Sequence, residues 1–232
     1  MSRQARCDII RKVMEGPKTR ILKIIKILSK EYSRAKTALA FKTPIEMLVA
    51  TILSAQCTDK MVNKVTEKLF KKYRNASDYA KANSKKFEQE IRSTGFYRNK
   101  TKSIMNMAKM LISDFKGKVP DTMENLIKLP GVARKTANVV LNNAFNKQEG
   151  IAVDTHVRRL SQRLGLSRTD DPVMIEQDLM ALVPRKYWGK ITYYLVDHGR
   201  AVCKAPRPLC PECVISGLCP SKEMFLKKFY NK

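Results

Sequence analysis

LPGVARKTANVV, residues Leu129–Val140, is the stretch whose reading decides the fold. A proline and a glycine break a helix-like pattern, and an apolar series then resumes with Ala137, Val140, Leu141 and Ala144 at helical spacing. The reading is helix, tight hairpin, helix. Gly131 is the only glycine of the turn, so it is the residue best able to take a positive φ and let a foreign backbone approach closely. Amide N–H groups at the start of the second helix are expected to point outward and form a small anion site suited to a phosphate, which makes Gly131, Val132, Ala133 and Arg134 candidate contacts. Lys135 falls in that helix's first turn. There the positive end of the helix dipole works against an ammonium and favours the neutral amine that can attack carbon.

Outward from this turn, the chain of 232 residues is long enough to bury a large core as one large domain or two small ones. Its nine glycines, 44% hydrophobic content and abundance of Lys, Leu, Ile and Ala favour a helical globule. Lysine and arginine number 46 against 21 aspartates and glutamates, a formal net charge of +25 spread along the whole chain rather than held in a tail. Such a surface calls for a polyanionic partner, and with the hairpin that partner is nucleic acid. No apolar run approaches the ~18 residues needed to cross a bilayer, so no membrane association is expected. Met1 to Arg20 is interrupted by Asp8, Glu15 and several bases and does not read as a secretory signal. An intracellular, reducing location is therefore expected, and cysteines are to be read as ligands before disulfides.

Helix signals run the length of the sequence, and no strand-period segment occurs. Arg20–Tyr32 carries Ile21, Ile24, Ile25 and Leu28 on one stripe, and Ser33–Lys42 breaks the pattern as a crossing between domains. Thr43, Pro44 and Glu46 make a strong helix start, and Ile45, Leu48, Val49, Ile52 and Leu53 give that helix the wide apolar face of a bundle centre. It ends at Ser54-Ala55-Gln56-Cys57-Thr58-Asp59, where Thr58 can cap the next helix and Cys57 reads as a small hydrophobe. A helix from Ser84 to Ser93 closes at Gly95, followed by Phe96-Tyr97-Arg98-Asn99-Lys100 and a helix reaching about Phe115. Asp154 precedes a helix bearing Val157, Leu160 and Leu164; alone it is an N-cap, yet the same placement keeps a carboxylate ionised. Asp171-Pro172 opens another helix, Tyr187–Val202 is the last long one, and Ser221–Lys232 is a basic tail with no assigned role. His156 and His198 read as hydrogen-bonded structural residues.

Cys203, Cys210, Cys213 and Cys219 follow the pattern C-x6-C-x2-C-x5-C. Four cysteines so close together in a reducing compartment imply a metal site, with zinc and iron–sulfur both open. Zinc ribbons use two C-x-x-C pairs, whereas only one such pair occurs here.

LPGVARKTA resembles the helix-hairpin-helix signature of the endonuclease III family of DNA repair glycosylases. LSAQCTD, VDTHVRRL at 153–160 and the four spaced cysteines are similar to that family in the same order, so the resemblance covers most of the chain from about Pro44 to Pro220. Ala133 stands where the family often has a second glycine. The resemblance implies an all-α fold of two lobes, residues 37–148 with the hairpin and residues 1–36 plus 149–232 with a [4Fe-4S] loop, and an active site in the cleft between them. It implies that Gln56 enters the DNA stack in place of the damaged base and that Phe96 is an intercalating wedge. Lys135 becomes the nucleophile and Asp154 its catalytic partner. The cluster would hold a stiff basic loop, with Lys204 and Arg207, against the phosphate backbone. The implied activity is that of a monomeric, bifunctional DNA glycosylase and AP lyase of base excision repair, acting on duplex DNA with oxidised pyrimidines or abasic sites, intracellular and, if the source is prokaryotic, cytoplasmic and nucleoid-associated. A mismatch glycosylase for uracil, thymine or adenine, and a non-enzymatic hairpin module, share the charge and the turn and remain alternatives.

Overall fold

The structure is a computed structural model and describes residues 16–230; Asp8, Glu15 and the rest of the segment read as lacking a secretory signal fall largely outside those residues, as do the last two of the basic tail. Twelve α-helices are present among the described residues, with no strand. They are α1 (Pro17–Glu31), α2 (Pro44–Leu53), α3 (Asp59–Lys72), α4 (Ala76–Ala80), α5 (Ser84–Ile91), α6 (Tyr97–Phe115), α7 (Met123–Leu126), α8 (Arg134–Ala144), α9 (Thr155–Arg163), α10 (Pro172–Leu182), α11 (Trp188–Ala201) and α12 (Lys222–Phe229). No helix among them is long and apolar enough to cross a membrane. The described residues divide into two compact units, one spanning Thr37–Glu149 and the other joining residues 16–36 to residues 150–230.

The first unit is built around α2. Thr43 Oγ1 accepts from the Glu46 N–H, Pro44 sits in the first turn, and the Glu46 carboxylate accepts from the Lys42 N–H, one residue further back than a capping box requires. Met47, Leu48, Val49, Ala50 and Leu53 are all fully buried, so the helix is covered on every side, as its nearly unbroken apolar sequence demands. It packs against α6 and α8, while α4 and α5 also pack on α6. Tyr73, Tyr79 and Phe87 close one end, Tyr73 stacked on Tyr79 with centroids 5.2 Å apart and edge-on to Phe87 at 5.3 Å. The short helix α4 carries no pattern long enough to predict from sequence.

In the second unit, the stripe Ile21, Ile24, Ile25 and Leu28 of α1 is buried against α10 and α11, and α9 packs along α11. Arg20 reaches the last turn of α9, donating to the carbonyls of Leu164 and Gly165. The basic tail is ordered as α12 and latched down. Tyr230 Oη donates to the Pro208 carbonyl, Arg207 Nη2 to that of Phe229, and the Arg163 guanidinium stands 4.5 Å from the Phe225 ring centre.

Leu48, fully buried in α2, and Leu22, exposed on α1, separate packing from propensity. Leu48→Ala is expected to cost about 3 kcal/mol and Leu22→Ala less than about 0.5 kcal/mol, read as urea midpoints at constant slope.

Candidate active site

The hairpin turns at Gly131, which takes φ +79°. A Cβ added there would lie 2.7 Å from the Ser103 Cβ of α6, so both the backbone angle and the neighbouring helix require glycine. Leu129 and Val132 bury their side chains in the core on either side, anchoring the turn. The Val132 N–H is turned inward to the Leu129 carbonyl at 3.1 Å, which removes it from the anion site expected of it. What remains is the first turn of α8. Ala133 is its N-cap and offers no side-chain acceptor, and the first amide bonded back along the helix is that of Ala137, to the Ala133 carbonyl. By contrast, α2, α3, α5, α9 and α10 each begin with a Thr, Asn or Asp side chain that accepts from an amide of its own first turn. The start of α8 therefore has no N-cap side chain to accept from its first turn.

Lys135 is the second residue of α8; its side chain is exposed and makes no hydrogen bond or ion pair among the described residues. Asp154 caps α9 with one oxygen only: Oδ1 accepts from the amides of His156 at 2.9 Å and Val157 at 2.8 Å, and Oδ2 has no protein donor among the described residues. The capping role and a free carboxylate oxygen therefore coexist in one residue.

Gln56 and Phe96 share a property that their sequence does not announce. Both are non-glycine residues with left-handed backbones, φ +52° and +47°, and both side chains are exposed, Phe96 to 61%. A phenyl ring so exposed is not core packing, and left-handed strain at non-glycine positions concentrates at functional loops.

In the second unit the four cysteines line one cavity of about 30 Å³, together with Arg163, His198 and Phe225. Burial pushes the Cys213 and Cys219 thiols up to about 11 and raises Cys210, each further raised by the neighbouring cysteines. No three His, Cys, Asp or Glu side chains among the described residues converge on a single ion; the thiols stand around the cavity wall. Arg163 Nη1 lies 3.3 Å from Cys203 Sγ and also donates to the Lys204 carbonyl, while its Nη2 donates to that of Ala205. His198 Nε2 lies 3.4 Å from Cys213 Sγ, and its Nδ1 is 3.0 Å from Tyr32 Oη. Burial pulls His198 down to about 4, which favours the neutral ring. These contacts were not visible from spacing, because they join residues 40 or more positions apart or a histidine with no ligand-spaced neighbour. Lys204 is exposed; Arg207 is exposed but turned onto the Tyr230 ring, 5.0 Å from its centre.

The profile of the HhH-GPD superfamily base excision DNA repair proteins matches residues 49–185, more than half of the chain. Endonuclease III of Synechocystis sp. is 51% identical over 93% of this chain and 98% of its own length, and that of Bacillus subtilis is 47% identical over 81% and 86%. The chain belongs to the endonuclease III family. Solved structures of endonuclease III agree: a non-covalent complex with DNA superposes with a TM-score of 0.85 at 43% identity, covering 90% of this chain and 98% of that one. A trapped covalent intermediate with DNA gives 0.84 at 44% identity, covering 89% and 97%. A thermostable thymine-DNA glycosylase, 24% identical, shares the fold with a TM-score of 0.80.

Gly131→Ala is expected to lower stability by about 2 kcal/mol from the left-handed backbone alone, with the Ser103 contact adding to it. Adding Ser103→Gly should recover only the contact part, read as a partial return of the thermal midpoint.

Proposed function

We propose that this endonuclease III family member is a bifunctional DNA glycosylase and AP lyase of base excision repair. It would excise oxidised pyrimidines from duplex DNA and cut the resulting abasic strand on the 3′ side, working as a monomer on the chromosome in a prokaryotic cytoplasm. The observation that carries the reading is Lys135: an exposed amine without a partner among the described residues, in the first turn of a helix with no side-chain cap that follows a glycine hairpin. The structural relative captured as a covalent intermediate with DNA requires a nucleophile of that protein, and an amine is the group that supports strand cleavage as well as base release.

The chemistry follows from the residues. The leading amides of α8 hold a backbone phosphate and Gly131 lets the strand approach. Gln56 and Phe96 enter the stack as the damaged nucleotide leaves it, offsetting part of an unstacking cost of a few kcal/mol. Neutral Lys135 Nζ attacks the sugar C1′, the C1′–N bond to the base breaks, and the base departs with a proton. The developing positive charge on the sugar would be stabilised by the Asp154 carboxylate, whose Oδ1 is bound to the backbone amides of His156 and Val157. The sugar ring then opens, the C1′–O4′ bond breaking as O4′ takes up a proton from solvent, and Nζ is left bonded to C1′ as a protonated Schiff base, which acidifies the C2′ proton. Its removal breaks the C3′–O3′ bond and releases the 3′ phosphate, and water then frees the lysine.

Cys203, Cys210, Cys213 and Cys219 would each hold one iron of a [4Fe-4S] cluster. Thiols placed around a cavity wall suit a polynuclear group, and the desolvated thiols would exchange their protons for metal. The group supplies a cross-link rather than a reaction step, bracing the basic loop that carries Lys204 and Arg207. Arg163 and His198 would satisfy the sulfurs of Cys203 and Cys213.

Incubation with abasic duplex and borohydride should trap the native protein covalently, and Lys135→Gln should abolish the adduct while binding persists. Asp154→Asn should slow base release by about 10²–10⁴-fold with affinity for an uncut lesion duplex preserved; strong loss of binding would refute its catalytic role. Cys210→Ala should lower the thermal midpoint and the broad absorbance near ~400 nm of the iron–sulfur chromophore, and a stable, fully coloured variant would count against the cluster.

A further inference from the structure

Lys100 is a buried cation that the chemistry above does not use. It lies near the start of α6, four residues after Phe96, and is only 5% exposed. No carboxylate pairs with it among the described residues. Its Nζ donates instead to two main-chain carbonyls, that of Leu53 at 2.7 Å and that of Thr94 at 2.8 Å. Burial pulls its pKa below the usual lysine range, and the nearby Cys57 thiol works the other way. An isolated lysine in such a place is costly unless its surroundings need a cation.

The two acceptors show what needs it. Leu53 is the last residue of α2, and Thr94 ends the single 3₁₀ turn Arg92–Thr94, so both carbonyls belong to helix C-termini, where the dipole is negative and main-chain acceptors lack helical donors. Side chains of a helix lean toward its N-terminus, which carries the lysine stem back from α6 to both ends at once. The chain leaving Leu53 reaches Gln56 after two residues, and the chain leaving Thr94 reaches Phe96 after one. Both are exposed and have left-handed backbones, as do Lys116 and Asn146 elsewhere in the same unit; only Gln56 and Phe96 follow directly on the two ends that Lys100 binds. A single ammonium thus holds the roots of both insertion loops.

We propose that Lys100 is a positioning residue that fixes the spacing of the Gln56 and Phe96 loops, so that both side chains enter duplex DNA together. The inference rests on the wedge reading of those two residues. A strut of this kind matters only where a stacked duplex must be opened. An abasic site in a single strand has no paired stack to open and needs only the amine.

Lys100→Met keeps the length and apolar stem and removes the donors; Lys100→Gln keeps two N–H donors on a shorter arm and serves if the methionine variant does not fold. Each is assayed on a lesion duplex and on a single-stranded abasic oligonucleotide, beside Gln56→Ala/Phe96→Ala and the triple variant, with a thermal melt of every protein. The expected result is a loss of about tenfold or more in kcat/KM on duplex, rates on the single strand within about twofold of native, and no additional duplex loss when the lysine is changed in the wedge-less background. Equal loss on both substrates, or native rates on both, overturns the proposal. Full additivity in the triple variant overturns it as well. If Gln56→Ala/Phe96→Ala is itself as fast as native on duplex, the wedge reading fails and takes the strut with it; if that variant is slow while Lys100→Met is not, the strut alone fails.

Discussion

The seating of the hairpin turn on α6 is the constraint on which the start of α8, and with it the position of Lys135, depends. Gly131 presses its Cα where the Ser103 side chain leaves no room for a methyl, at a backbone angle that L side chains rarely adopt. Leu129 and Val132 drive the turn into place by burial, so the hydrophobic core of the first unit fixes a loop whose business is polar. Because the turn cannot tilt or thicken, α8 begins at one defined place, and its second residue projects an amine into solvent. Stability and chemistry are joined at a single glycine.

In each unit some candidate site residues lack the internal satisfaction that is usual elsewhere in the fold. Capping side chains close the N-termini of α2, α3, α4, α5, α9 and α10, while α8, like α1, α6, α7, α11 and α12, has none. Asp154 spends one oxygen on its own helix and keeps the other. Gln56 and Phe96 hold strained backbones and expose side chains that a folded core would otherwise take in. A net charge of +25 brings the polyanion to these groups at long range and is indifferent to its sequence; selectivity is left to what each loop does once the strands are in contact.

Much of this was legible in the sequence because it is carried by local signals. Proline and glycine mark the hairpin, threonine and aspartate mark caps, and apolar spacing marks α1, α2 and α9; each depends on neighbours within four residues. The C-x6-C-x2-C-x5-C spacing likewise announces a shared site without showing its walls. What stayed hidden is long-range. Nothing near Lys100 distinguishes it from the solvated lysines around it, since its carbonyl partners come from residues 53 and 94. Arg163 and His198 reach the cysteine cavity only through the packing of α9 and α11. The tail reads as a run of bases, and becomes a helix because Phe225 and Tyr230 find partners on the cysteine loop and α9. Left-handed backbones at a glutamine and a phenylalanine have no sequence signature at all.

The most direct test asks which atom bonds to the sugar. Protein reduced with borohydride on an abasic duplex, digested with nuclease and trypsin and read by mass spectrometry, should carry the deoxyribose remnant on Lys135, with cleavage after that residue blocked. A remnant found on any other amine, with Lys135 unmodified, would contradict the account.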